Sequence, residues 1–331
     1  MNDIKVSICI PVYGVEKYIE RCAKSLFKQT YTNIEYIFVD DCSKDNSLTI
    51  LKNIITQYSK RQLQIQILNH TTNRGLAAAR NTAVNHAHGE FIMHVDSDDY
   101  LEPTAVEELV IFQQKTHADY ISFEAISHYP KYTRRIRHKD FLSPRDLAIA
   151  IVEGSQGAYI WCRFIKRELY IKHNIYAKEG INMGEDLQVS PILAYYSHNV
   201  AVYHKPIYHY ECRNILAYTK SYSKDKEQQN DISRRIIFNF FKDKGDDFII
   251  AYDKASVKIL VKRIIEACKI NNKEFFSTCT KGKNDIKKKY LSLIPFHRRI
   301  VFYINNYHIA RAYIILSAKT FELIKILKNK F

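Results

Sequence analysis

The chain has 331 residues, 46% hydrophobic and 26% charged, a composition that describes a soluble globular protein able to bury a large core. Its seven cysteines, at 9, 22, 42, 162, 212, 268 and 279, form no C-x-x-C pair, so neither a disulfide framework nor a zinc site is expected. The net charge of +15 is uneven: residues 1–219 hold 25 Lys/Arg against 24 Asp/Glu, residues 220–331 hold 25 against 11, and any acidic partner is therefore met by the tail.

The first third alternates strand and helix. Val6–Ile10 is a β-branched run that ends at Pro11, and Val15, Tyr18, Ile19, Cys22 and Leu26 then fall on one helical face. Ile34–Val39 reads as a second buried strand, followed by Asp40, Asp41, Cys42, Ser43 and a helix with Asp45 as its N-cap. Leu63–Leu68 is a third strand, and the alanine-rich helix after Gly75 can lie close to a sheet. Phe91–Val95 is a fourth strand, and a helix after Pro103 leads to a fifth at Tyr120–Phe123. This alternation predicts an α/β fold with a mostly parallel sheet covered on both faces. The N-terminal apolar run is too short for a signal peptide, and no run approaches the roughly eighteen apolar residues of a spanning helix, so a cytoplasmic protein is expected.

The strand ends converge on one crevice: Pro11 and Tyr13 after the first, Asp40 and Asp41 after the second, Asn73 and Arg74 after the third, Asp96 and Asp98 after the fourth. In the stretch FIMHVDSDDY three carboxylates, Asp96, Asp98 and Asp99, crowd around Ser97. They form either a solvated, helix-capping turn or a hard oxygen site for a divalent cation bridged to phosphates. No G-x-G-x-x-G follows the first strand and there is no P-loop lysine motif, so phosphates must be managed by metal and side chains.

The segments VSICIPVYGVEKYIERCAKSLFKQTYTNIEYIFVDDCSKDNS, NRGLAAARN and HVDSDDYLEP, in this order and spacing, resemble the family 2 glycosyltransferases. The likeness is strong over the first 125 residues and thinner to about residue 215. It implies the GT-A fold, a Rossmann-like sheet flanked by helices, and inversion at the transferred sugar. It further implies that Pro11 and Tyr13 line the base pocket and that Asp41 accepts the imide proton of a uracil; guanine also offers ring donors, so GDP stays open. Asn73 and Arg80 would help hold the nucleotide, and Asp96 and Asp98 match the D-x-D acids that bind ribose and a metal, Mn2+ or Mg2+. Gly14, Cys42 and Val189 stand where the family usually has Asn, Gly and an aromatic. Cys42 would be strained if its turn needed positive φ.

The middle of the chain carries AYIWCRFIKRELY and INMGEDLQVSPILAYY. Its lone tryptophan, Trp161, is either a core residue or the wall of a sugar acceptor site. Gly184, Glu185 and Asp186 match the family's G-E-D motif. By that resemblance Asp186 is the general base, with Glu185 in reserve, taking the proton of a weakly nucleophilic sugar hydroxyl; both acids also suit a helix N-terminus. Arg213 is a candidate neighbour of the diphosphate. His204 and His209, five apart, lack helical metal spacing.

These readings divide the chain at 219/220, into a GT-A catalytic domain (1–125 for the nucleotide-sugar, 126–219 for the acceptor) and a helical, basic C-terminal region, 220–331. KGKNDIKKKY at 281–290 reads as an exposed interruption. The last helix, about 309–331, sets Tyr313, Leu316, Leu323, Ile324 and Leu327 on one face with Lys319, Lys325, Lys328 and Lys330 elsewhere. Such a helix either packs on its own domain or lies in an anionic membrane surface, which would put the protein on the inner face of the membrane. The expected function is a hexosyl- or N-acetylhexosaminyl-transferase that uses a nucleotide-diphosphate sugar, chiefly UDP-linked, to extend a cell-surface glycan or its lipid-linked precursor. The alternative is a non-catalytic scaffold of this fold, or a polyanion binder acting through the tail; no nucleic-acid partner is expected.

Overall fold

The computed structural model describes residues 3–214, 218 and 222–328, with side chains up to 318. The chain divides into two compact units, Met1–Phe240 and Phe241–Phe331.

In the first unit, β1 (Val6–Val12), α1 (Ile19–Phe27), β2 (Ile34–Asp40), α2 (Ser47–Thr56), β3 (Ile65–Asn69), α3 (Leu76–His86) and β4 (Phe91–His94) follow one another in the expected order. β1 pairs in parallel with both β2 and β4, and β2 pairs in parallel with β3. β1 runs through Pro11 to Val12 instead of stopping at the proline. Its pairing with β4 ends at Cys9, so that neighbour does not need the donor Pro11 lacks. β1, β2 and β4 are buried on both faces, hence their largely apolar runs, whereas the edge strand β3 is only partly buried. α1 and α2 pack on each other, and α3 lies against β1 and β2. Ala77, Ala78, Ala79 and Ala83 are fully buried, which permits that close approach. The N-cap of α2 is Asn46, not Asp45 as expected; Asp45, one residue earlier, accepts from Ser47 N (3.1 Å) and steadies the entry to the helix.

Beyond β4 come β5 (Tyr100–Leu101), α4 (Ala105–Thr116), β6 (Tyr120–His128), β7 (Thr133–Ile136), α5 (Pro144–Glu153), β8 (Arg163–Lys166), α6 (Arg167–Lys172), α7 (Glu185–Tyr196), β9 (Val200–Glu211) and α8 (Lys224–Phe241). They extend one 9-stranded sheet in the order β3-β2-β1-β4-β8-β6-β9-β5, with β7 on β6. Here β8 runs antiparallel to β4 and β6, and β5 runs antiparallel to β9. The parallel half is the part whose buried strands are legible as continuous apolar runs. The local signals of α5 are complete: Ser143 accepts from Asp146 N, Pro144 occupies the first turn, and Gly154 ends the helix at φ 74°.

In the second unit α9 (Asp246–Lys269) is central, and α10 (Lys273–Lys281), α11 (Phe296–Tyr303) and α12 (Tyr307–Lys328) pack on it. Val257, Leu260, Val261, Ile264, Ala267 and Cys268 repeat at three and four residues and are buried. Within the basic interruption Lys283 is buried, its Nζ donating to Ile304 O (3.2 Å) and Asn305 Oδ1 (2.9 Å), so that stretch is not wholly exposed. Of the expected α12 face, Leu316 is exposed and Tyr313 half-buried; Tyr307, Ala310 and Ile314 form the buried side. The side chains of Lys319, Leu323, Ile324, Leu327 and the remaining lysines lie outside the described residues. Among the described residues no helix is long and apolar enough to cross a membrane.

Candidate active site

Asp41 follows β2 directly, and its carboxylate is buried. It accepts from Gly75 N (2.7 Å), Arg74 N (2.8 Å) and His70 Nδ1 (2.7 Å), so it fixes the loop after β3 and keeps about one lone-pair position for a further donor. Asn73 also serves this loop, its Nδ2 donating to Asp41 O at 3.2 Å. The turn places Cys42 at φ 63°, a left-handed conformation that costs a side chain about 1–2 kcal/mol and that glycine would take freely. Pro11 is buried at the end of β1, and Tyr13 beyond it is half exposed.

Arg80 lies on α3, buried, and faces three carboxylates. Nη2 donates to Asp96 Oδ1 (2.7 Å), and Nη1 to Glu185 Oε1 (2.7 Å) and Asp186 Oδ1 (2.5 Å). One guanidinium thus joins the D-x-D acid after β4 to both acids that open α7. A single positive charge cannot offset three negative ones in a water-poor site. Burial and mutual repulsion accordingly raise the carboxyls of Glu185 and Asp186 above their ordinary values, with Arg80 opposing. Asp186 has the more open side chain, 18% exposed against 10% for Glu185.

Asp98 accepts from Asn214 Nδ2 (2.8 Å); burial, then the charge of Asp96, push its carboxyl up to about 6. Asp99 is the buried anchor of the acid loop, accepting from Tyr208 Oη (2.6 Å) and Glu211 N (2.6 Å), while Tyr208 Oη accepts from Asp96 N (3.1 Å). Arg213 forks onto Glu211 (2.7 and 2.5 Å), and Glu211 also binds Arg21 (3.0 Å), whose other nitrogen holds Asp98 O (2.8 Å). Its two arginines hold Glu211 well below the carboxylate range, at about 2.

The two α7 acids are placed from a distance. Gly184 adopts φ 81°, and a Cβ there would press on Ser233 of α8 at 3.2 Å. Gln229 of α8 accepts from Asn182 N (2.8 Å) and Met183 N (3.0 Å), Ser233 Oγ donates to Met183 O (3.0 Å), and Asn182 Oδ1 accepts from Ala77 N (3.1 Å). His70, Asn182, Asn214, Gln229 and Ser233 carry no local motif. Only their partners reveal them.

Trp161 is buried, which settles it as a core residue in an aromatic stack. His209 pairs with His128 (2.8 Å) and Glu102 (2.7 Å), and His204 with Asp140 (3.0 Å). Among the described residues no group of three or more His, Cys, Asp or Glu could hold a metal. None of the seven cysteines is in a disulfide.

Behind the site, Arg163 is fully buried and faces His138, whose other nitrogen meets the Gln156 amide. Burial, then the Arg163 charge, push His138 down to about 2. The unfolded chain therefore takes up this proton first: the contribution is intact above the ordinary value near 6.5 and is lost as pH falls below it, at about 1.4 kcal/mol per unit. Urea unfolding at pH 7, 6 and 5 is expected to show a steeper loss for the wild type than for His138→Asn; equal slopes would refute this account.

The parallel half of the sheet, with carboxylates beyond its strand ends joined to two acids on a facing helix, forms a crevice where an α/β fold takes its ligand. The model of the family described as "Glycosyl transferase family 2" matches residues 7–178, and the chain belongs to that family. It is 31% identical over 188 residues to the "Uncharacterized glycosyltransferase EpsJ" of Bacillus subtilis, covering 55% of this chain and 53% of EpsJ. It is 35% identical over 118 residues to the poly(ribitol-phosphate) beta-N-acetylglucosaminyltransferase TarS of Staphylococcus aureus, covering 35% of this chain and 20% of TarS. The chain thus spans about half of EpsJ and a fifth of TarS. The crystal structure of S. aureus TarS 1-349 in complex with UDP-GlcNAc matches with a TM-score of 0.67 at 20% identity, over 94% of this chain and 88% of that one, a likeness of fold.

Proposed function

We propose that this chain is an inverting glycosyltransferase that moves a hexosyl or N-acetylhexosaminyl group from a UDP-linked donor to a hydroxyl of a glycan or lipid-linked glycan in cell-surface polysaccharide synthesis. The observation that carries this reading is the Arg80 cluster, which brings Asp96 and Asp186 onto one guanidinium across the crevice. Asp186 takes the proton of the acceptor hydroxyl as that oxygen attacks the anomeric carbon, and the nucleotide diphosphate leaves from the opposite face, so one displacement inverts the centre. Its raised carboxyl makes it a stronger base than a free aspartate. Glu185 shares the Arg80 charge, and Arg80, occupied by three acids, acts by holding them. Asp41, Pro11 and Tyr13 would receive the base, with Asn73 fixing the loop beside it and Arg213 near the diphosphate. The donor named in the TarS complex supports UDP.

A hard divalent cation fits Asp96 and Asp98. The pair offers carboxylate oxygens and more negative charge than its neighbours offset, and two acids suffice where phosphate oxygens complete the shell. Bound there, Mn2+ or Mg2+ would offset charge on the leaving diphosphate. The division of labour at 219/220 belongs to the same reading. A lipid-linked acceptor would be met at the cytoplasmic face of the membrane. In support, residues 241–331 hold 20 Lys/Arg against 8 Asp/Glu, with Phe296, Tyr303, Ile309 and Leu316 exposed, which suits peripheral contact with anionic lipid.

Calorimetric titration with UDP, GDP and dTDP, each with and without Mn2+, tests the donor side. UDP is expected to bind in a metal-dependent way, at least about tenfold more weakly to Asp98→Asn, since a charge-assisted contact is worth about 1.5–3 kcal/mol. If no nucleotide bound with Mn2+ present, the transferase reading would fall.

A further inference from the structure

The turn from Gly157 to Cys162 carries an exposed aromatic side chain, Tyr159. The Tyr159 ring is 44% exposed, yet it is backed by a rigid stack. It lies on Trp161 (5.2 Å, 26° between planes), and Trp161 in turn stacks on Tyr210 (4.9 Å, 9°) and Tyr208 (4.8 Å, 28°). Gly157 lets the ring fold back over the chain, because a Cβ there would stand 2.4 Å from Tyr159 Cε2. Both ends of the turn are pinned by the buried Arg163, whose Nη2 donates to Gly157 O (2.6 Å) and Nη1 to Cys162 O (3.0 Å). Ile160, next to this ring, lines one cavity with Arg80, Glu185 and Asp186.

We infer that the exposed face of Tyr159 is the stacking platform for a pyranose ring of the acceptor, the sugar whose hydroxyl Asp186 deprotonates. The inference rests on the transferase reading above and names a subsite within it. A pyranose presents an apolar face of C–H groups, and an aromatic ring held flat offers contact area at little entropic cost. A tyrosine whose work was to cover Trp161 would not need a left-open outer face. The platform also adjoins Ile160, which borders the cavity that holds Asp186.

The chain has one tryptophan, and it is the ring directly beneath Tyr159, so its fluorescence reports the subsite without labelling. Wild type, Tyr159→Phe and Tyr159→Leu are titrated with the methyl β-pyranosides of glucose, galactose and N-acetylglucosamine, in the presence of UDP and Mn2+. UDP affinity is measured in parallel by calorimetry. At least one pyranoside is expected to change Trp161 emission saturably, with about two- to tenfold weaker binding in Tyr159→Leu and near-wild-type binding in Tyr159→Phe. UDP affinity is expected to be equal in all three. Equal pyranoside affinity in Tyr159→Leu, or no pyranoside response in protein that binds UDP, overturns the platform alone. Failure of all three proteins to bind UDP overturns the transferase reading and the platform with it.

Discussion

Asp186→Asn is expected to lower kcat by about 10²–10⁴-fold while leaving donor binding intact, because the substitution keeps the shape of the side chain and removes its basicity. The loss is separable from damage to the fold. Asp186 is one of three carboxylates sharing the Arg80 guanidinium, and burial raises its carboxyl above the ordinary value. A carboxyl with a raised folded pKa is best tolerated protonated, and its ionisation costs stability as pH rises. The amide is therefore expected to hold or raise the melting temperature at pH 8. A positional role alone would leave kcat near wild type, and an essential structural role would lower the melting temperature. Glu185→Gln, measured beside it, is expected to lose less activity, since Glu185 has the more enclosed side chain.

Arg80→Met is expected to cost about 3–5 kcal/mol at pH 8, because it leaves Asp96, Glu185 and Asp186 without their shared cation in a buried site. At about 2–4 °C per kcal/mol for a domain of this size, that is a fall of order ten degrees. The sign of its pH dependence follows from the acids: without the guanidinium their carboxyls rise further, so the variant recovers relative to wild type as pH falls and they protonate. Thermal unfolding at pH 8 and pH 5 checks both statements. Arg80→Lys is expected to fall between, since an ammonium keeps the charge but not the fork that spans Asp96 and the α7 acids. Wild-type stability of Arg80→Met at pH 8 would show that the cluster is not held together by this charge.

The acids of the crevice were legible because each follows directly on a strand or opens a helix. Asp41, Asp96, Asp98 and the Glu185–Asp186 pair are contiguous with apolar runs or with Gly184, and that adjacency survives in a linear string. The strain at Cys42 was legible too, as a cysteine where the turn calls for glycine, and it appears at φ 63°. Arg80 was marked by its motif, but its partners were not: a surface cation, a phosphate ligand and a buried bridge are the same letter. The outcome depends on α3 being brought against α7, about a hundred residues later, through Asn182 and the glycine at 75 whose missing Cβ admits it.

Chain order and residue chemistry thus settled the parallel strands, their polar ends and the chemical types in the crevice, since these depend on neighbours in sequence. The folded packing settled which charges meet. It assigned Trp161 to an internal stack, returned β8 antiparallel beside β4, and set Gln229 and Ser233, from a stretch that reads as basic tail, behind the two acids of α7. Pairing energies between distant polar groups depend on distance and burial, and neither is a property of the string. That is why the acids could be named from the sequence, while their common cation and its supports could be found only in three dimensions.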